Sequence, residues 1–473
     1  MIEDVVTLAA FGLAAVPACL ALVAFDGEAA LGRIEKVGLG FLLGLGGLTW
    51  WMTIVVLSGS RLSLPLVLAP GLAGTVILVA RLHPRRHGPT GLRPMAAGGG
   101  AGSGMTAHAT AWHAGAIDRL LIAGIALTIG WAFFLSILTP LEAYDAVAIW
   151  GLKAKAIYLE RGLPIGLLQD RVFAGNRPDY PLLVPLAESY VAMAVGRWND
   201  IAVKLVFPSL LTGLVILFHA ALGRLEAVGP DGAAPISRRR RLLFTFLLAS
   251  IPALSDQVPD GYADIAVAAT SGLGTIYLVL WLRGGPSILL AISALLTGLG
   301  ATAKNEGMLL ALVNLTLLLL AARGRRRPRF AAGYLAVILA IAAPWCLARL
   351  RLGLSNDVVN AAVLAAAPSG KNLARLGTIL YEFLQEACKT KSWNIVWPLF
   401  AAVAALRIGR PGPKGSRILV AAAGLTLLGY AAIYVVTPYD VVWHLRRSVD
   451  RLFLPLLPVV VFALAAFHEE ERQ

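Results

Sequence analysis

Cysteine is scarce in this chain, and charged residues are scarcer than in ordinary soluble proteins. The three cysteines, Cys19, Cys346 and Cys388, are far apart, and their spacing gives neither a disulfide framework nor a metal-ligand pattern. Only 14% of the 473 residues are charged, whereas 58% are hydrophobic. This composition excludes an ordinary soluble globule.

Long apolar stretches are what the sequence has in abundance. Most of them run for about 17–22 residues, the length that crosses a hydrocarbon core roughly 30 Å thick. Backbone polar groups inside such a core must bond within the chain, so each stretch is predicted to be a helix. The sequence predicts an all-α polytopic membrane protein with about 13 transmembrane helices. The predicted spans are residues 5–25, 37–57, 62–81, 119–138, 201–222, 242–256, 262–282, 286–302, 306–322, 330–348, 393–407, 418–437 and 452–467.

One further apolar stretch, residues 181–196, is not predicted to cross the membrane. Pro181 and Pro185 lie at its start and Glu188 lies in its middle. Counting it as a span would also place the basic residues 238–241 on the outer side. It is therefore predicted to be an interfacial or re-entrant helix.

The net charge of +14 comes largely from short loops between apolar stretches, such as residues 238–241, 325–327 and 407–417. Clusters of arginine in such loops indicate the cytoplasmic side of a membrane protein. They argue against nucleic acid as a partner. The topology predicts a multi-pass protein of the bacterial inner membrane.

The segment 82–117 is rich in proline and glycine and is predicted to be a flexible cytoplasmic linker. It would separate an N-terminal three-span unit, residues 1–81, from a ten-span module, residues 118–473. The first long outer loop of that module is predicted over residues 139–200, with interfacial helices.

Carboxylates open this outer loop directly after a membrane span. Because carboxylates at the mouth of a bundle are costly to desolvate, Glu142 and Asp145 indicate a functional site near Tyr144. Either can accept a proton from a hydroxyl nucleophile; Asp145 is the favoured base and Glu142 its rival. Capping of the next helix is the structural alternative for Asp145. That helix is expected to be amphipathic, with Trp150 and Lys153 as interface anchors.

Three further polar segments are predicted on the same outer face. Asp260 and Asp264 lie at a helix start, where carboxylates favour the helix dipole. Lys304 and Glu306 can pair with each other at a helix turn or contribute to a site. His444, in the segment before the last span, is interpreted as an interface residue in preference to a catalyst.

That last segment carries basic residues on the side where few are expected. Arg447 and Arg451 present donor forks suited to phosphate oxygens, so an anionic ligand such as a lipid phosphate is one interpretation. Internal pairing with Asp440 and Asp450 is the other, and both can hold.

Six short motifs, all predicted on the outer face, carry a resemblance to a known family. They are Tyr144-Asp145, Asp179-Tyr180-Pro181-Leu182, Gly196 to Leu205, Gly261-Tyr262-Ala263-Asp264, Lys304 to Gly307, and His444 to Arg451. In this order they resemble the glycosyltransferase-C superfamily, whose members include protein O-mannosyltransferases and the aminoarabinose transferase of lipid A. The resemblance covers residues 119–467. It departs from the family in having one acidic residue where many members have an adjacent pair.

The resemblance implies transfer of a sugar, with inversion, from a polyprenyl-phosphate donor to a lipid, glycan or protein acceptor on the periplasmic face. It implies that Asp145 is the general base. It also implies that Lys304, Arg447 and Arg451 stabilise the departing phosphate, because preorganised cations stabilise negative charge as it forms. The candidate substrate-binding residues are Tyr144, Asp179, Tyr180, Asp260, Asp264, Lys304, Glu306, His444, Arg447 and Arg451.

Two other classes of function remain open. A transporter or flippase of lipid-linked sugars would place charged residues near the middle of the membrane and would show repeated halves. A polymerase or ligase of surface polysaccharide would act on the outer face with a diphosphate-linked donor. No cofactor is required by any motif, but the carboxylates present leave a divalent cation possible in principle.

Overall fold

All regular structure in the described part of the chain is helical, as predicted. The predicted linker 82–117 lies outside the described residues except at its two ends, so its character is still a prediction. The computed structural model describes residues 2–26, 30–82, 115–225, 237–322, 324, 327–356, 358, 374–407 and 414–470.

The helices used below are labelled in chain order. The first eight are α1 (Ile2–Phe25), α2 (Arg33–Leu57), α3 (Leu64–Leu82), α4 (Ala116–Leu138), α5 (Leu152–Glu160), α6 (Leu183–Val195), α7 (Asp200–Arg224) and α8 (Arg238–Ala249). The others are α9 (Asp264–Leu282), α10 (Ser287–Ala303), α11 (Asn305–Ala321), α12 (Arg327–Arg351), α13 (Leu376–Ala387), α14 (Val396–Arg407), α15 (Lys414–Val436) and α16 (Val441–Phe467). Shorter helical segments are Asp145–Gly151, Ile165–Gln169, Arg171–Asn176, Pro252–Gln257 and Thr390–Trp393.

Nine of the described helices, α1 to α4, α7, α9, α12, α15 and α16, are long and apolar enough to cross a membrane. The chain is therefore an α-helical, multi-pass membrane protein. Four shorter apolar helices, α6, α10, α11 and α14, accompany them. Of these, α10, α11 and α14 coincide with predicted spans, and α6 coincides with the stretch predicted not to cross.

The centre of the bundle is formed by α7, α9 and α16, in which 83%, 89% and 83% of the most apolar stretch is buried. By contrast, α3 and α4 are only 11% buried at the periphery. Their exposed side chains are apolar, for example Leu120, Leu127 and Phe134 on α4. Such a surface suits lipid, because a large exposed apolar face is unfavourable in water.

Two predicted elements differ from the structure in a way that backbone chemistry explains. The predicted span 242–256 is not one helix, because α8 ends at Ala249 and a separate short helix begins at Pro252. Proline lacks an N–H and disfavours helical geometry in the preceding residue. The polar segment predicted before the last span is also helical, and α16 continues from it into the span. Asp440 caps α16 by accepting a hydrogen bond from the Trp443 N–H at 2.8 Å.

Buried hydrogen bonds join four of the inner helices. The Asn314 amide on α11 accepts a bond from Thr275 of α9 at 2.9 Å and donates to Thr297 of α10 at 3.0 Å. The Tyr334 hydroxyl on α12 lies 2.9 Å from Thr297 and 3.0 Å from Ser293. Between helices in lipid, such bonds and close packing replace the hydrophobic effect as the source of association.

A buried ion pair links the N-terminal helices to the rest of the bundle. The Glu35 carboxylate on α2 accepts hydrogen bonds from Arg224 Nε at 2.6 Å and from the Tyr277 hydroxyl at 2.8 Å. Arg224 also donates to the Ala30 carbonyl at 2.6 Å. The predicted unit 1–81 is thus packed directly against α7 and α9.

Candidate active site

The four polar segments predicted on one face converge at one end of the bundle. This site end is where α4 ends and where α7, α9 and α11 begin. Asp145, directly beyond α4, forms an ion pair with Arg451 of α16. The Lys304 ammonium, between α10 and α11, lies 2.8 Å from Asp264 Oδ1 and 3.0 Å from Glu306 Oε1.

Two glycines allow these segments to approach each other. Gly261 has a φ of +80°, and a Cβ there would lie 3.1 Å from the Ala146 side chain. The loop before α9 therefore packs against the segment that carries Asp145. A Cβ on Gly307 would lie 1.9 Å from the Gly300 carbonyl oxygen, so the turn that holds Lys304 tolerates only glycine there.

The Asp145–Arg451 pair joins residues 306 positions apart in the sequence. Both side chains are mostly buried, with 15% and 19% exposed. The Asp145 carboxylate accepts a hydrogen bond from Arg451, and among the described residues it accepts none from the helical turns that follow it. The sequence offered Asp440 and Asp450 as partners for Arg451. The structure pairs Arg451 with Asp145, and Asp440 caps α16.

Arg451 is held from two sides in addition to the ion pair. Its guanidinium carbon lies 5.5 Å from the centre of the Tyr262 ring, which is a cation–π contact. Its Nη2 donates to the Arg447 carbonyl at 3.0 Å. The guanidinium group is therefore preorganised at the site end.

Lys304 is buried between carboxylates. Burial alone would lower the pKa of Lys304, but Asp264 and Glu306 outweigh it, so the pKa lies above its ordinary value. The lysine therefore carries its charge throughout the neutral pH range. The pairing of Lys304 with Glu306 that the sequence left open is present, with Asp264 as a second partner.

Asp179 connects the loop 139–200 to α11 and to the end of α12. It is 1% exposed, and its Oδ2 accepts hydrogen bonds from Asn305 at 2.7 Å and from Asn356 at 2.8 Å. Arg349 Nη1 lies 4.0 Å from the same oxygen, and Trp345 donates to the Asp179 carbonyl at 3.2 Å. Sequence reasoning missed these partners, although Asn305 lies directly beside Lys304.

Lys153 is buried, so its predicted role as an interface anchor is wrong. Its ammonium donates to the Arg177 carbonyl at 2.6 Å and lies 5.7 Å from the centres of the Trp150 and Tyr180 rings. Those two rings stack on each other at 5.4 Å. The loop 139–200 thus folds over its own aromatic residues. Burial lowers the pKa of Lys153 to about 7, although Asp179 opposes that shift.

Replacement of Lys153 by methionine should therefore change how stability depends on pH. Between pH 7 and the ordinary lysine pKa, the unfolded chain binds more protons at this residue than the folded chain does. Wild-type stability should gain up to about 1.4 kcal/mol per pH unit from this residue across that window. The variant should lack this gain in thermal unfolding scans from pH 6.5 to 9.5. Parallel curves for the two proteins would contradict the lowered pKa.

Glu142 and Asp260 lie near Lys204, whereas Asp145 pairs with Arg451. Both are close enough to Lys204 for electrostatic interaction. Lys204 donates to the Thr139 hydroxyl and to the Pro140 carbonyl, each at 2.9 Å, and so holds the end of α4. Glu142, Asp260 and Tyr144 are all exposed.

His444 and Arg447 occupy contrasting environments on α16. His444 Nδ1 lies 2.9 Å from the Thr437 hydroxyl, and its ring lies 4.9 Å from that of Tyr434. Arg447 is exposed, and its side chain has no hydrogen bond or ion pair to any described residue. Because Arg447 precedes Arg451 by one helical turn, the two share a face of α16.

The site end combines the Asp145–Arg451 ion pair, for which a ligand can compete, with the buried, charged Lys304. It also holds Arg447, which has no carboxylate partner in the described part of the chain. Within the described ranges, no group of three or more His, Cys, Asp or Glu side chains is suited to hold a metal ion. Comparisons with protein-family models, curated proteins and solved structures find no match for this chain.

Proposed function

We propose that the protein is an integral membrane glycosyltransferase. It would move a sugar from a polyprenyl-phosphate-linked donor to a lipid, glycan or protein acceptor, with inversion. The observation that carries this proposal is the meeting of Asp145, Arg451 and Lys304 at one end of a membrane bundle. A base and two cations in one place are what displacement at a glycosyl phosphate needs.

The reaction can be written with these side chains. The acceptor hydroxyl oxygen forms a bond to the anomeric carbon while the bond from that carbon to the phosphate oxygen breaks. The hydroxyl proton passes to Asp145, and the bonding electron pair leaves with the phosphate. Arg451 and Arg447 stabilise the growing phosphate charge, because guanidinium groups bind phosphate oxygens in a fork, and the charged Lys304 adds positive potential at the same end of the bundle.

Donor binding would also release the base. In the structure, the Arg451 guanidinium pairs with the Asp145 carboxylate. A phosphate that takes over part of the Arg451 guanidinium leaves a carboxylate oxygen able to accept the acceptor proton. The order of events would then be donor first and acceptor second.

The proposal includes the finer features of the topology. We propose a bacterial inner-membrane protein that crosses the bilayer thirteen times and resembles the glycosyltransferase-C superfamily. Its site would face the periplasm. In that arrangement the lipid tail of the donor stays in the bilayer while its phosphate meets α16 at the membrane surface. The arginine clusters then lie on the cytoplasmic side.

The direct test is a transfer assay with purified protein in lipid. A panel of polyprenyl phosphates bearing different labelled sugars is offered with a membrane extract as acceptor. Transfer of label from at least one donor into lipid, glycan or protein is the expected result. Binding of the whole panel without transfer would favour a flippase, and transfer only from diphosphate-linked donors would favour a polymerase or ligase.

Arg447→Ala should weaken use of the donor about ten- to a hundredfold and leave the acceptor KM nearly unchanged, because a charged hydrogen bond to phosphate is worth about 1.5–3 kcal/mol. Arg446→Ala is the matched control. The Arg446 side chain is 71% exposed and lies 3.5 Å from Glu382, so it is engaged elsewhere. Equal effects of the two substitutions, or equal losses for donor and acceptor, would contradict a phosphate role for Arg447.

A further inference from the structure

Two buried polar atoms beside Lys304 lack hydrogen-bond partners among the described residues. They are Glu306 Oε2 and the hydroxyl of Tyr430, and a third such atom, Oδ1, lies on the neighbouring Asn305. The other polar atom of the Glu306 carboxylate and of the Asn305 amide has a partner. Glu306 Oε1 lies 3.0 Å from Lys304, and Asn305 Nδ2 donates to Asp179 at 2.7 Å. Because the Asp179 carboxylate only accepts, the Asn305 amide is oriented with its oxygen free.

Helix packing places Tyr430 next to Glu306. A Cβ on Gly429 would lie 2.7 Å from the Leu309 side chain, so α15 closely approaches α11 one turn after Glu306. The Tyr430 hydroxyl is within electrostatic range of Glu306 and Lys304. Tyr430 is fully buried, with 0% of its surface exposed.

Leaving such groups unpaired is unfavourable in a folded protein. Each buried polar atom without a partner costs about 1–3 kcal/mol, and native structures contain few of them. Three such atoms lie at the same end of the bundle as the ion pairs: Glu306 Oε2, Asn305 Oδ1 and the Tyr430 hydroxyl. This clustering indicates a place where a ligand supplies the missing hydrogen bonds.

The chemistry of the atoms restricts the ligand. A carboxylate oxygen and an amide oxygen accept hydrogen bonds, whereas a phenol both donates and accepts. A phosphate dianion offers only acceptors, so it cannot satisfy Glu306 Oε2 or Asn305 Oδ1. A group with several hydroxyls can satisfy all three, because each hydroxyl donates and accepts.

We propose that Glu306, Tyr430 and Asn305 form the subsite for a neutral, polyhydroxylated sugar on the lipid-linked donor. This inference rests on the proposed function and assigns the sugar and the phosphate to different side chains. The phosphate is bound by Arg447 and Arg451, and the sugar hydroxyls by the unpaired atoms.

Tyr430→Phe tests the subsite, because it removes only the hydroxyl oxygen. Binding is measured in lipid nanodiscs with a polyprenyl phosphate and with the same lipid bearing a neutral hexose. Loss of one hydrogen bond should weaken binding of the hexose-bearing lipid about three- to tenfold. Binding of the bare polyprenyl phosphate should not change. The melting temperature of the ligand-free variant should stay the same or rise, since an unpaired buried hydroxyl is removed.

Tyr334→Phe is the matched control. The Tyr334 hydroxyl is buried but bonded to Ser293 and Thr297 at 3.0 and 2.9 Å. Its removal should lower the melting temperature and leave both lipid affinities unchanged. A Tyr430→Phe protein that binds both lipids like wild type, or binds both more weakly by the same factor, would overturn the subsite. Wild-type protein that binds neither lipid would overturn the proposed function and the subsite with it.

Discussion

Asp145→Asn is expected to reduce the rate of sugar transfer at saturating substrates by about 10²- to 10⁴-fold, the range for loss of a general base. Asparagine has the size of aspartate and can still accept a hydrogen bond from Arg451, but it cannot take the acceptor proton. The measurement is the initial rate of labelled product formation, with monodispersity and melting temperature recorded for each protein. Glu142→Gln is the matched control, because Glu142 is exposed and lies near Lys204 instead of Arg451. Full activity of Asp145→Asn, combined with loss in Glu142→Gln, would transfer the role to Glu142.

Exchanging the charges of the Asp145–Arg451 pair distinguishes a role in catalysis from a role in folding. Asp145→Arg combined with Arg451→Asp keeps opposite charges next to each other, so stability should recover relative to either single reversal. Activity should not recover, because the carboxylate then lies on α16 and no longer next to the proposed position of the acceptor. Recovery of transfer together with stability would mean that the pair serves folding alone.

Lys304→Met is expected to have the largest effect on stability, a loss of about 3–5 kcal/mol. The substitution leaves the carboxylates of Asp264 and Glu306 buried together without a cation. Protonation removes their repulsion, so the deficit relative to wild type should shrink as the pH is lowered. Chemical unfolding in detergent, measured from pH 5 to pH 8, gives both the loss and its pH dependence.

Two controls apply to this prediction. Lys389→Met makes the same change at a lysine that is 54% exposed beside the buried Glu386, which keeps a hydrogen bond from Trp393 Nε1 at 2.9 Å. It should therefore cost less, about 1.5 kcal/mol for one charged hydrogen bond. Lys304→Met combined with Asp264→Asn removes one of the stranded charges and should restore part of the lost stability. If Lys304→Met alone is as stable as Lys389→Met, Lys304 is not held as a buried cation.

The sequence was sufficient for the helical, multi-pass fold, because the length of an apolar run reflects the thickness of a bilayer. It was also sufficient to bring Asp145, Lys304 and Arg451 to one end, since alternating spans put every second loop on the same side. The partner of Arg451 was not predictable in this way. Asp450 is its neighbour in sequence, but adjacent residues on a helix do not face each other. The partner is therefore the distant Asp145.

Burial inside the loop 139–200 could not be read from the sequence either. Trp150 and Lys153 have the composition of a membrane-surface helix, and only the fold of the loop encloses the lysine. The bonds from Asn305 and Asn356 to Asp179 join residues 126 and 177 positions apart. Asparagine in a loop is common, so local sequence carries no signal for such contacts.

The Glu35–Arg224 pair has a consequence for biosynthesis. Arg224 follows Glu35 by 189 residues and Tyr277 follows it by 242. At a synthesis rate of about 5–20 residues per second, α2 waits roughly 10–40 s for its cation to leave the ribosome. During that interval the carboxyl group must stay hydrated at the lipid headgroups or be protonated. The first hairpin can therefore enter the bilayer early, but it can complete its final packing only after α7 has been inserted.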